Sequence, residues 1–239
     1  TTMVAKISAD PHALEVERVI LDYLHSHNSE LNIPRIAQPA QQELASQVTA
    51  PNSTDMHCNL YDREFERATA KHITAHSLCA LWNMLATVHS VGVVHCDLRS
   101  PNVAYDSERG ALVLLDWGAS RIYDAQAYNL PLVAGATPPV LRDELYQPGG
   151  MVTASPAVLE SIERDGNKFE CLPADEAVSM IYMTFQCLFP DDQSIHLAPA
   201  NAENAAEIWT FFISDMTIEY FDGDENNPIE TRLRDLQQR

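Results

Sequence analysis

The sequence predicts an α+β chain in two lobes, a small β-rich lobe over residues 1–58 and a mostly helical lobe over residues 59–239. Three observations carry this. The chain opens as strand, helix and further strand-forming stretches. Most of the remaining chain has helical periodicity. One short pair of strands interrupts it near the middle. A length of 239 residues suits one large domain or two small lobes, and 46% hydrophobic residues can supply a core.

Residues 3–8, MVAKIS, read as a strand with one outward lysine, Lys6. Residues 12–25 read as a helix: Leu14, Glu17, Leu21 and Leu24 recur at spacings of three and four, with Val16 and Ile20 alongside. Asp10-Pro11 supplies its N-cap and first-turn proline. Residues 33–54, rich in Pro, Gln, Ser and Ala, read as strands joined by loops. Residues 74–90 form the next helix, lined by Leu78, Leu81, Trp82, Leu85 and Val88, with Gly92 after its end. Residues 103–105 and 111–115 are strand-like and are joined by the turn DSERG. Residues 119–155 hold several Pro and Gly without a period, and a loop of that length is usually functional. Residues 174–188 are nearly apolar throughout and suggest a buried helix. Residues 204–215 and 228–238 look helical too, the last of them polar.

The formal net charge of -19 argues against nucleic acid as a partner, because its phosphates would be repelled. It leaves room for one locally basic pocket. The five cysteines form no CxxC pair and are odd in number, which speaks against a zinc site or a disulfide framework and for a reducing compartment. No apolar run has the length of a membrane span, and the first residues do not resemble a signal peptide.

The chemistry concentrates in His95-Cys96-Asp97-Leu98-Arg99-Ser100-Pro101-Asn102, followed after the strand pair by Asp116-Trp117-Gly118. Phosphoryl transfer from a nucleotide needs a carboxylate to orient the attacking hydroxyl. It also needs an amide and a second carboxylate to hold magnesium on the phosphates. Asp97, Asn102 and Asp116 offer those groups in the order in which kinases carry them. The chain resembles the protein kinase-like superfamily, as a divergent eukaryotic-type protein kinase domain. The resemblance implies a bilobal protein kinase-like fold with a reduced small lobe. It implies Asp97 as catalytic base, Asn102 and Asp116 as Mg2+ ligands, and Arg99 as a cation facing the transferring phosphoryl group.

Val4-Ala5-Lys6 resembles the lysine strand of that family, one residue short between Ala and Lys. Glu17, ahead of Leu21 and Leu24, resembles its helix glutamate, with Glu15 as the rival. A Lys6–Glu17 pair would aim the lysine at the α- and β-phosphates of ATP. No glycine precedes Lys6, so no glycine-rich phosphate loop is present and the small lobe reads as truncated. Ser155-Pro156-Ala157-Val158-Leu159 resembles the end of an activation segment, with Ala157 in place of the usual anchoring glutamate. Asp175-Glu176 resembles the acidic start of the central large-lobe helix, and the spacing to Ser179 favours Glu176.

Cys96 stands where regulated kinases carry the arginine that grips a phosphorylated loop, and it reads as a small inert thiol. Activation by phosphorylation is therefore disfavoured, although Thr137, Thr153 and Ser155 are possible sites. His95 reads as a hydrogen-bonding support of the catalytic loop. His72 and His76 read as a solvated face, and Trp82 and Trp209 as core or groove aromatics. The resemblance implies ATP and a protein substrate as partners, with serine or threonine as the acceptor, in the cytoplasm or nucleus or as a secreted effector inside a host cell. A small-molecule kinase of the aminoglycoside or choline type, which shares the D-W-G-like motif, and a pseudokinase interaction module are the alternatives.

Overall fold

The computed structural model describes residues 4–37, 57–141, 153–165 and 170–189. The helices expected at 204–215 and 228–238, Trp209, and most of 33–54 lie outside the described residues.

Strand β1 (Val4–Ser8) pairs antiparallel with β2 (His57–Tyr61), placing Lys6 opposite Asn59. The expected outward lysine is corrected here. Val4, Lys6 and Ser8 share the half-buried face, and Ile7 is 47% exposed on the other. Strand alternation puts Lys6 and Ile7 on opposite sides, and the carboxylates waiting for the lysine decide which side turns inward. In the described part of 33–54, the only pairing is an isolated bridge between Ile36 and Tyr61.

Helix α1 (Pro11–His27) starts where expected. Asp10 Oδ1 accepts the N–H groups of His12 and Ala13 at 2.9 and 3.2 Å, satisfying two orphan donors of the first turn. Its buried stripe is Leu14, Val16, Glu17, Ile20, Leu21 and Leu24. Helix α2 (Ala75–Ser90) is capped by Thr74, whose Oγ1 accepts from the Ser77 N–H at 3.0 Å. Leu81, Leu85 and Val88 are buried, but Trp82 is 45% exposed. One residue past Leu81 is 100° further round the helix, so Trp82 sits beside the apolar stripe and not in it.

Strands β3 (Glu66–Arg67), β5 (Val103–Asp106) and β6 (Ala111–Leu114) form an antiparallel sheet in the order β3-β5-β6. The β5–β6 turn is set by Asp106 Oδ1, which accepts the N–H groups of Glu108 and Arg109, and is closed by Gly110 at φ 65°. Strands β4 (Val93–Val94) and β7 (Arg121–Ile122) pair across the two ends of this region.

Helix α3 (Pro156–Asp165) has no counterpart in the sequence expectations; Ser155 caps it, its Oγ accepting the Val158 N–H at 3.2 Å, and Val158 and Leu159 are buried. Helix α4 (Pro173–Leu188) is one-sided and not buried all round: Glu176, Ser179, Met180 and Met183 are inside, while Ile181 is 53% exposed.

The main core joins α1, α2, α4 and the β5–β6 hairpin around Trp117, which is fully buried. Each fully buried leucine there, such as Leu21, Leu24 or Leu114, contributes roughly 1.5–3 kcal/mol relative to exposure. A second, smaller core gathers Val94, Tyr123, Ala125, Val158 and Cys171 beneath the segment after Trp117-Gly118.

Candidate active site

The loop between β4 and β5 is built largely from its own residues. A short turn at Ser100–Asn102, entered through Pro101, folds Asn102 back on Asp97. The Asn102 amide donates to the Asp97 carbonyl at 2.9 Å and to its carboxylate Oδ2 at 2.8 Å. The Arg99 Nε lies 3.0 Å from Asp97 Oδ1, off the N–H axis, so that contact is ionic; its hydrogen bond goes to Oδ2 at 3.3 Å. Asp97 is 6% exposed and Asn102 5%.

His95 is fully buried and serves as the expected support. Its Nδ1 accepts the Asp97 N–H at 3.2 Å, which leaves Nε2 to carry the proton and donate to the Leu115 carbonyl at 3.0 Å. One ring thus ties the Asp97 loop to the strand that delivers Asp116. The ring also sits edge-on to Trp117 at 4.6 Å.

Helix α4 holds the same loop from the other side. Glu176 Oε1 accepts the Cys96 N–H at 2.6 Å, with Cys96 in the left-handed region at φ 63°. Glu176 Oε2 lies 2.8 Å from His89 Nε2, and Gln186 Oε1 accepts the Ser100 N–H at 3.0 Å. This separates the two acids: Glu176 braces the loop, while Asp175 accepts the Leu172 N–H and the Ser155 hydroxyl at 2.9 and 2.5 Å.

The remaining predicted residues converge from far apart in sequence. Lys6 Nζ sits 3.0 Å from Glu17 Oε2 and 2.6 Å from Asp116 Oδ1. Glu17 is fully buried and its Oε1 accepts the Trp117 N–H at 3.1 Å. Glu15 is exposed, which decides between the two candidate glutamates. Burial alone would lower the Lys6 pKa, but the Glu17 and Asp116 charges outweigh it and hold the ammonium above its ordinary value. Burial would raise Asp116, and the Lys6 charge outweighs that and holds the carboxyl below its ordinary value. Asp116 adopts φ 63°, and the following turn passes so close to α1 that a Cβ on Gly118 would meet the Ala13 carbonyl at 3.0 Å.

A cleft of about 400 Å³ opens on this cluster. Val4, Tyr61, Phe65 and Leu115 give it apolar walls, and Lys6, Arg63, Glu64, Asn102 and Asp116 add polar groups to its lining. Burial and then the Glu17 charge push the Tyr61 phenol well up, so it stays neutral. Arg63 on the rim pairs with Asp106 at 3.0 Å and lies over the Phe65 ring. All six residues singled out in the sequence therefore fall into two adjoining groups, Lys6–Glu17–Asp116 and Asp97–Arg99–Asn102, with His95 joining them.

Sequence reasoning missed several supporting residues. Ser155 is one: its hydroxyl donates to Asp175 and accepts the Val158 N–H at 3.2 Å, which anchors the SPAVL segment despite Ala157. His89 and Gln186 are others, and as lone polar residues on helices they carry no signal of their partners. The three possible phosphorylation sites differ in exposure. Thr153 and Ser155 are 1% and 2% exposed, which closes them to a modifying enzyme, whereas Thr137 is exposed. His76 is solvent-facing as expected, but His72 stacks on Tyr105 at 3.9 Å.

No helix among the described residues is long and apolar enough to cross a membrane. No family model matches the sequence. A stretch of 67 residues, 28% of the chain, is 36% identical to the serine/threonine-protein kinase RUNKEL of Arabidopsis thaliana and covers 5% of that protein's length. The structure is similar to that of the Cydia pomonella granulovirus kinase PK-1, with a TM-score of 0.54 and 14% identity over 87% of this chain and 70% of that one. Together with the paired small strands, the Glu17 helix and the described helices α2 to α4, this similarity shows a protein kinase-like α+β fold.

Proposed function

We propose that the chain is an ATP-dependent phosphotransferase, a protein kinase that transfers the γ-phosphoryl group to a serine or threonine hydroxyl. The observation that carries this is a cleft lined by Lys6, Asn102 and Asp116, with Glu17 paired to Lys6 and Asp97 hydrogen-bonded to Asn102 behind its wall.

The residues fit a nucleotide with magnesium. The apolar walls accept a planar base, and the polar lining presents a cation, Lys6, for phosphates. Asn102 spends its amide nitrogen on Asp97, so its amide oxygen remains as a donor to a cation beside the Asp116 carboxylate. Two hard oxygen groups suit Mg2+. Bound magnesium would neutralise charge on the phosphates. Asp97 would orient the acceptor hydroxyl and take its proton, and its pairing with Asn102 and Arg99 holds the carboxylate in one place beforehand. Lys6, fixed by Glu17, would position the phosphates.

The test has two steps. Nucleotide binding is measured with and without Mg2+, and then transfer of labelled phosphate to a generic protein substrate is followed. Metal-dependent binding with transfer to serine or threonine supports the proposal. Binding without transfer across varied substrates and metals makes the domain a pseudokinase. Transfer to small alcohols and not to protein makes it a small-molecule kinase.

A further inference from the structure

Cys96 and Cys171 meet on the side of the catalytic loop that faces α4, and neither lines the cleft. Cys171 stands one residue before Leu172, the N-cap of α4. Glu176, in the first turns of that helix, already holds the Cys96 N–H at 2.6 Å, so the start of α4 and the backbone of residue 96 are in contact. Both side chains belong to the second core with Val94, Tyr123 and Val158, where the Cys96 thiol also lies 3.9 Å from the Val94 carbonyl. Cys171 is 7% exposed and Cys96 is half-buried, which makes Cys96 the more accessible sulfur. The thiol beside it and burial together hold Cys171 protonated.

We propose that Cys96 and Cys171 form a reversible disulfide that ties the catalytic loop to the start of α4. A peroxide serves as oxidant. The Cys96 sulfur attacks one peroxide oxygen, the O–O bond breaks, one water leaves and Cys96 becomes a sulfenic acid. The Cys171 sulfur then attacks the Cys96 sulfur. The S–O bond breaks, the Cys171 proton leaves with a second water, and the S–S bond forms. The two thiols lose two electrons and the peroxide is reduced to two waters. A dithiol reverses the step by exchange.

The bond has a consequence for the site. To form the bond, the two sulfurs must close to about 2 Å. Cys96 sits at φ 63° directly before Asp97, so the approach is transmitted to that carboxylate. A displacement of about 1 Å at a reacting group costs on the order of a hundredfold in rate. This second part rests on the kinase reading; the bond itself does not.

The experiment treats the purified full chain with hydrogen peroxide, blocks remaining thiols and maps the peptides by mass spectrometry. The expected result is a crosslinked peptide pair containing residues 96 and 171, lost on treatment with dithiothreitol. Cys171→Ala should give no such pair, while Cys79→Ala should give it unchanged. Phosphate transfer by the oxidised wild type should fall on the order of a hundredfold and return with dithiothreitol, while Cys171→Ala transfers at the untreated rate in both states. Cys96 found only as a sulfinic acid, or joined to another cysteine, would overturn the proposal. If the crosslink forms and neither state transfers phosphate, the disulfide stands and the kinase reading fails. Unchanged transfer in a fully crosslinked sample would remove the regulatory part.

Discussion

The Asp97–Asn102 loop and the Lys6–Glu17–Asp116 cluster do comparable work by opposite means. In the loop, partners are five or fewer residues apart, and Asn102, Arg99 and His95 hold Asp97 through short-range bonds. In the cluster, Lys6 reaches Glu17 across 11 residues and Asp116 across 110. The loop is preorganised by its own turn chemistry, and only its docking depends on α4. The cluster exists only when β1, α1 and the Trp117–Ala119 turn are packed together. A carboxylate can thus be aimed by local sequence, whereas a lysine whose partners are distant in the chain must be aimed by tertiary packing.

The sharpest way to break this contrast is Asp116→Ala, which removes the one residue that belongs to the hairpin by sequence and to the cluster by contact. Metal-dependent nucleotide binding should be abolished with the far-UV circular dichroism unchanged. Transfer at the wild-type rate would sink the assignment.

Asp97→Asn tests the loop alone. It keeps shape and removes charge, so nucleotide affinity should be nearly kept while transfer falls by on the order of a hundredfold or more. Equilibrium binding and initial rates on the same preparation separate the two effects. A large loss of affinity would mean that Asp97 belongs to nucleotide binding instead.

Gly118→Ala tests the cluster from a distance. The added methyl meets the Ala13 carbonyl at 3.0 Å and its Cβ at 3.1 Å, so α1 must shift and carry Glu17 with it. Overpacking of this kind costs about 1–3 kcal/mol. The urea midpoint should drop and nucleotide affinity should weaken, while the Asp97–Asn102 loop stays intact. Equal affinity at lower stability would show that nucleotide binding does not depend on α1's placement.

The smallest effect is on pH. Asp116 is held below its ordinary value of 3.8, so its contribution to stability is complete above that pH and is lost as pH falls through the lowered value. Lys6 is held above 10.5, so its contribution is present below that pH and lost as pH rises through the raised value. Urea midpoints across this window should therefore show a plateau with two falling limbs. Lys6→Met should flatten both limbs; limbs of wild-type steepness in that variant would exclude the cluster as their source.

The two regions also differ in how far their geometry is legible in the chain. The HCDLRSPN loop is legible because its partners are neighbours in sequence, so spacing alone encodes geometry. Helix α1 is legible for a similar reason: its apolar spacing and Asp10 cap are local. Trp82 misleads because a hydrophobic residue one step off a stripe looks the same in sequence as one inside it. The direction of Lys6 misleads because strand alternation is symmetric, and which face turns inward depends on where Glu17 and Asp116 are. Helix α3 carries a readable Ser155-Pro156 start and a Val158, Leu159, Ile162 stripe that the loop reading of the preceding stretch passed over, whereas the Ser155–Asp175 anchor spans 20 residues and leaves no local pattern.

The kinase-like order of motifs, the helices with clean periodicity and the chemical identity of the site groups are all written in the amino-acid order, because covalent spacing and local hydrogen bonding set them. Spacing favours Glu17 over Glu15 and Glu176 over Asp175, but only packing makes them the actual partners of Lys6 and of the Cys96 N–H, and only packing seats Cys96 and Cys171 in one small core. Those choices depend on which side chains share one buried volume, and elements distant in the chain settle that only when they close on one another.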